Sequence, residues 1–239
     1  SSMLQFHDLE WECAYAEHEE ENNSFLGRDD FTEVVLDKFL LPKLKEFNPN
    51  IPKEVIKEAL DVLKADRSIM QTVNANREIY QLLKDGISVS FTDKEGNQQT
   101  ERIKAIDWKR PSNNHFLIVS QFQVKGSLGL RRPDLIGFVN GLPLLFIEYK
   151  SADNNVKNAY DDNLRDYKDT IPHLLYYNAF CLLSNGLEAK VGSITAGWEH
   201  FADWKKISAE SEPGLIDLNT TINGTCQKER FLDIVANFI

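Results

Sequence analysis

"RRPDLIGFVNGLPLLFIEYK", residues 131–150, sets two runs of Val, Ile, Leu and Phe on either side of Asn140-Gly141. Apolar runs of strand length around an Asn-Gly pair read as a buried β-hairpin. Asp134 opens the first run, and Glu148 and Lys150 close the second. Charges beside a core are costly unless they are paired or bind a metal, so their register matters. Strand residues alternate faces, which places Glu148 and Lys150 together. With a two-residue loop Val139 would pair with Leu142, and Asp134 would face the opposite side. One extra residue corrects this, either as Val139-Asn140-Gly141 with a glycine bulge or as Asn140-Gly141-Leu142. A bulged or three-residue turn is therefore expected, with the two carboxylates roughly 4.5 to 8 Å apart at Cβ.

That separation suits one divalent cation. Two carboxylates offer hard oxygen ligands to Mg2+, which keeps several waters and recruits phosphate oxygens. A cation there acidifies water and neutralises charge on a phosphoryl group. A neighbouring lysine can orient the water or stabilise developing charge. The set suits phosphodiester hydrolysis. A structural ion pair is the competing reading of the same residues.

Upstream, Phe31, Val34, Val35, Phe39, Leu40 and Leu44 approximate a helical stripe starting near Asp29, with Pro42 expected to kink it or start its next segment. A second helix carries Val55, Ile56, Ala59, Leu60 and Leu63, and a third near 74–84 ends at Gly86. "ISVSFT" and "QQTERIKAID" read as a hairpin, and "HFLIVSQFQV" as one strand. Downstream, "NNVKNAYDDNLRDYK" reads as an amphipathic helix with Val156, Tyr160, Asn163 and Tyr167 on one face. Strands follow around a second Asn-Gly. The tail from about 215 is helical, with Phe231, Leu232, Ile234, Val235 and Phe238 as its apolar side. This order predicts an α/β fold, a mixed central sheet flanked by helices with a C-terminal helical extension.

The chain has 239 residues, 42% hydrophobic and 27% charged, enough for a sizeable core. Its net charge of −10 argues mildly against coating nucleic acid with the whole surface, while leaving room for a local basic patch at Arg131 and Arg132. The acidic stretch at 10–30 reads as a solvated face or loop. Cys13, Cys181 and Cys226 form no C-x-x-C pair, so neither a zinc site nor a disulfide framework is suggested, and a reducing compartment is expected. There is no apolar run of transmembrane length, and no membrane partner is expected. No G-x-x-x-x-G-K-[ST] loop occurs, so ATP has no site in this chain.

Beyond the hairpin, "FNPNIPKEVIKEAL", "NREIYQLLKDGISV", "NHFLIVSQFQVKG", "IPHLLYYNAFCLLSNGLEAKVGS" and "WEHFADWK" occur in order. Together these blocks resemble the N-terminal region of type I restriction enzyme R (motor) subunits, from about residue 10 to the end. The resemblance implies a restriction-endonuclease-like domain of the PD-(D/E)XK type over 1–206, with 207–239 a helical linker toward helicase domains of a longer subunit that would bind ATP. It implies that Asp134 and Glu148 hold Mg2+, with the Tyr149 carbonyl as a further ligand, and that Lys150 assists the attacking water. The family's Q-x-x-x-Y motif maps onto Asn163 and Tyr167, with asparagine in place of glutamine. Glu33, read on the early helix, is a candidate supporting acid, against a plain solvent-facing glutamate. Arg131 and Arg132 are candidate DNA-phosphate contacts, against surface ion pairs with the many acids. The implied activity is Mg2+-dependent cleavage of double-stranded DNA in a prokaryotic cytoplasm, together with specificity and methyltransferase subunits. A catalytically silent DNA-binding or subunit-docking module is the alternative.

Overall fold

The computed structural model describes residues 2–205 and 217–237. The chain opens with helix α1 (Ser2–Asp8) and strand β1 (Glu12–Tyr15). The acidic stretch, expected as a solvated loop, thus supplies a strand and then folds around a buried ion pair. Arg28 reaches Glu19 at 2.5 Å, both side chains sealed from solvent, and the guanidinium lies 3.9 Å from the Phe122 ring centre.

Helix α2 (Asp37–Phe47) starts eight residues later than its apolar stripe suggested. The Leu36 N–H donates to the Gly141 carbonyl at 2.9 Å. That bond holds the preceding segment extended against the hairpin turn. Pro42 lies inside α2, so the helix does not restart there. Helix α3 (Lys53–Leu63) buries the five expected residues, and α4 (Thr72–Asp85) stops at Gly86, whose φ is +86°. Strands β2 (Ile87–Thr92) and β3 (Gln98–Ile103) form a separate antiparallel ribbon.

"HFLIVSQFQV", expected as one strand, is two. Strand β4 (Phe116–Ser120) ends at Gln121, where φ turns to +57°. Strand β5 (Val124–Gly126) then pairs with β6 (Gly129–Arg131) in a second small ribbon. The hairpin strands β7 (Leu135–Val139) and β8 (Leu142–Tyr149) follow, buried almost throughout. Their continuous apolar runs fit a strand covered on both faces. A π-helical turn (Ala159–Leu164), α5 (Arg165–Thr170) and α6 (Pro172–Leu175) cross over to β9 (Phe180–Ser184), which runs parallel to β8. Strands β10 (Ala189–Gly192) and β11 (Ala202–Asp203) and helices α7 (Leu218–Thr225) and α8 (Lys228–Asn237) complete the described residues. Among the described residues the main sheet is mixed and seven-stranded, ordered β1-β4-β7-β8-β9-β10-β11. No helix among them is long and apolar enough to cross a membrane.

The hairpin turn departs from expectation. It is a tight two-residue turn with Asn140 at φ +50° and Gly141 at +79°, and Val139 sits opposite Leu142. Two successive positive φ values are the type I′ geometry that matches strand twist. The extra residue lies in β8: Phe138 faces Pro143 while Gly137 faces Leu145, leaving Leu144 as a bulge. Pro143 has no N–H to give the ladder, and bulges are where strands accommodate proline. Beyond the bulge Leu135 faces Ile147, so Asp134 stands opposite Glu148. The required parity is present, supplied by the strand and not by the turn.

At the C-terminal end Phe231, Leu232, Ile234 and Val235 are buried, as expected. Phe231 packs against Trp11 and Phe180, with ring centres 5.4 and 5.2 Å away. Phe238 and the expected domain boundary at 206/207 lie outside the described residues.

Candidate active site

The end of the hairpin remote from its turn gathers most of the sequence candidates. Asp134 precedes β7, and Glu148 lies near the end of β8. The Asp134 N–H donates to Glu148 Oε2 at 3.3 Å, and the Tyr149 N–H donates to Asp134 Oδ2 at 2.8 Å. In an extended strand the N–H and C=O of one residue point to the same neighbour, so the Tyr149 carbonyl is directed to the Asp134 side. Asp134 is half-buried and Glu148 buried, 3% exposed.

Glu148 is held from the crossover helix. The Asn163 side-chain amide and the Tyr167 hydroxyl, the latter at 3.3 Å, both donate to Oε1. Tyr167 packs edge-on against Phe146, two residues before Glu148 and on the same strand face. Asn163, where the resemblance leads one to expect glutamine, therefore does reach the acid. It sits within the π-helical turn, a widened geometry that recurs at functional sites. The expected four-residue stripe divides here: Tyr160 turns its hydroxyl to the Ala196 carbonyl at 3.1 Å.

Burial, and then the charge of Asp134, push the Glu148 carboxyl up to about 8, against hydrogen bonds that favour its ionised form. Three donors are thus aimed at an acid whose surroundings resist its charge. A cation between the two carboxylates would resolve that conflict, and hard oxygen donors suit Mg2+. No cluster of three or more His, Cys, Asp or Glu side chains able to hold a metal occurs among the described residues. The candidate protein ligands are two carboxylates and a main-chain carbonyl.

Lys150 is half-buried, and its Nζ lies 3.7 Å from Asp162 on the crossover helix. Arg131 forms a bidentate pair with Asp166, at 2.5 and 2.9 Å. This hydrogen bonding holds the Asp166 carboxyl below the usual range and fits the ion-pair reading of Arg131. Arg132 is exposed, with one contact to Gln123 Oε1 at 3.1 Å. Glu33 is in a loop, not on a helix, and its carboxylate accepts the Asp29 N–H. The elements that carry the partners of Asp134 and Glu148 do not include that loop.

Sequence reasoning missed Gln121, whose amide donates to Asp134 Oδ1 at 3.1 Å. Its stretch reads as uninterrupted strand, and nothing in a glutamine announces a positive φ. A separate cavity of about 1010 Å³ between α4 and α8 is lined by Tyr80, Tyr177 and Leu144 among others. It lies at the opposite end of β8 from Glu148.

Residues 2–200 match the family model described as type I restriction enzyme R protein N terminus. Over its whole length the chain is 30% identical to the type I restriction enzyme HindI endonuclease subunit of Haemophilus influenzae, of which it covers 23%. A Methanocaldococcus jannaschii protein, provisionally named as type I restriction enzyme MjaIXP endonuclease subunit, is 29% identical over 89% of the chain, which covers 22% of it. The chain therefore spans less than a quarter of the length of these relatives.

Proposed function

The chain belongs to the family of type I restriction enzyme R protein N termini, and from that premise we propose that it is a Mg2+-dependent endonuclease domain hydrolysing phosphodiester bonds of double-stranded DNA. The observation that carries the proposal is the pairing of Asp134 and Glu148 across the β7–β8 hairpin, with the Tyr149 N–H on one acid and the Asp134 N–H on the other.

Asp134, Glu148 and the Tyr149 carbonyl would hold the cation. When bound, it supplies charge neutralisation at the phosphate and a lower pKa for attacking water. The protein's own residues do the rest. Asn163 and Tyr167 fix the Glu148 carboxylate, so little reorganisation is left for the reacting state. Lys150 presents an ammonium on the Glu148 face, where it orients water or stabilises charge on the phosphoryl oxygens. Arg132, the exposed cation of the pair, contacts a DNA phosphate. Arg131 instead ties the β5–β6 ribbon to α5 through Asp166.

By its family the domain acts in a prokaryotic cytoplasm inside a larger complex. Specificity and methyltransferase subunits and an ATP-driven translocase deliver the DNA there. The chain carries a net charge of −10. Like charges oppose DNA approach, so this chain alone cuts weakly or not at all. The test is Asp134→Ala and Lys150→Ala in the complete enzyme. Cleavage should fall at least 100-fold, on the order of 3 kcal/mol in barrier, while ATP-driven translocation is unchanged. Cleavage that survives both substitutions transfers the reading to a silent DNA-binding or subunit-docking module.

A further inference from the structure

We propose that Gln121 is a positioning residue that sets the Asp134 carboxylate for sharing a cation with Glu148. The inference rests on the metal-centred reading above and deepens it.

Gln121 touches Asp134 twice. Its main-chain N–H donates to the Asp134 carbonyl at 2.9 Å, extending the β4–β7 ladder one step past Ser120 and Leu135. Its side-chain Nε2 donates to Asp134 Oδ1 at 3.1 Å. Between these two bonds the backbone adopts a φ of +57°. Asparagine, aspartate and glycine are the residues that enter this region readily. A glutamine held there is held by its surroundings. Phe122, the next residue, is fully buried and packs edge-on against Phe138 of β7 at 5.2 Å. The turn is thereby pinned on both sides, and the amide is delivered to the acid from a fixed point.

The second Asp134 oxygen accepts the Tyr149 N–H. The carboxylate is thus gripped at both oxygens by neutral donors, one from each neighbouring strand. Neutral donors orient the acid without cancelling its charge. An arginine or lysine at 121 would hold it as firmly and compete with the cation. Outer partners of this kind tune metal sites, and their loss weakens metal binding about 10–100-fold.

Gln121→Gly is the informative variant, because glycine adopts positive φ without strain and keeps the main-chain bond while removing the side-chain amide. Mn2+ is titrated calorimetrically into this chain, and the thermal midpoint is read in EDTA. Wild type should bind Mn2+, and Asp134→Ala should abolish binding. Gln121→Gly should bind about 10–100-fold more weakly with its midpoint unchanged. Binding equal to wild type in Gln121→Gly overturns the role of Gln121 and leaves the metal-centred reading standing. A fall in both affinity and midpoint also overturns it, in favour of a purely structural glutamine. Failure of wild type to bind Mn2+, or equal binding by Asp134→Ala, overturns the metal-centred reading and this inference with it.

Discussion

Glu148 concentrates the physical tension of the site. Its carboxyl is raised from an ordinary value of 4.5 to about 8, chiefly by burial and then by Asp134. A group whose folded pKa exceeds its unfolded one stabilises fully below the unfolded value, and that contribution is lost as pH rises through the folded value. In EDTA, therefore, stability should decline from about pH 4.5 to pH 8, and Glu148→Gln should remove that share of the slope. Urea unfolding of the two proteins across this window checks it, and equal slopes would refute it. Residue-level legibility in the sequence was uneven. Asp134, Glu148 and Lys150 stood out because charges interrupt apolar runs, and Tyr167 because helical spacing aligned it with Asn163. Gln121 was hidden because backbone sign is set by tertiary contacts. Glu33 was misplaced on a helix because Leu36 gives its N–H to the hairpin turn.

At the scale of elements, the hairpin shows what pattern conveys and what it does not. Alternation required one extra residue for the two acids to meet, and that requirement holds. Whether the residue entered the turn or the strand depended on Pro143 and on the packing of the turn, which no pattern of hydrophobicity reports. Asn140 is fully buried and donates to the Ala105 carbonyl at 2.9 Å and to Asn114 Oδ1 at 2.8 Å. A Cβ on Gly141 would lie 2.4 Å from the Leu36 carbonyl oxygen, on a backbone already at φ +79°. Gly141→Ala should therefore cost on the order of 3 kcal/mol through combined strain and crowding. Chemical denaturation measures this, and a loss below about 1 kcal/mol would mean that the turn relaxes freely. The same logic explains the π-helical turn: a period of 3.6 placed Tyr160 and Asn163 together, while packing sends Tyr160 to Ala196.

Across the whole molecule, the described C-terminal helices close back on the start of the chain, α7 against α1 and α8 against Trp11. Phe231 of α8 meets Trp11, whose indole N–H donates to the Cys226 carbonyl at 2.9 Å. Phe231→Ala should cost about 3–5 kcal/mol, as other large-to-small core changes do. The loss should appear in a single cooperative transition if α8 unfolds with the sheet, which calorimetry and near-UV circular dichroism would test together. The overall class was readable because each helix and strand carries its own periodicity. The long-range closure of α8 on Trp11 was not, since apolar stripes do not name their partners. Every group found gripping Asp134 or Glu148 falls within the single uninterrupted run 121–167. Grafting that one span into a relative would carry the whole set of contacts across at once.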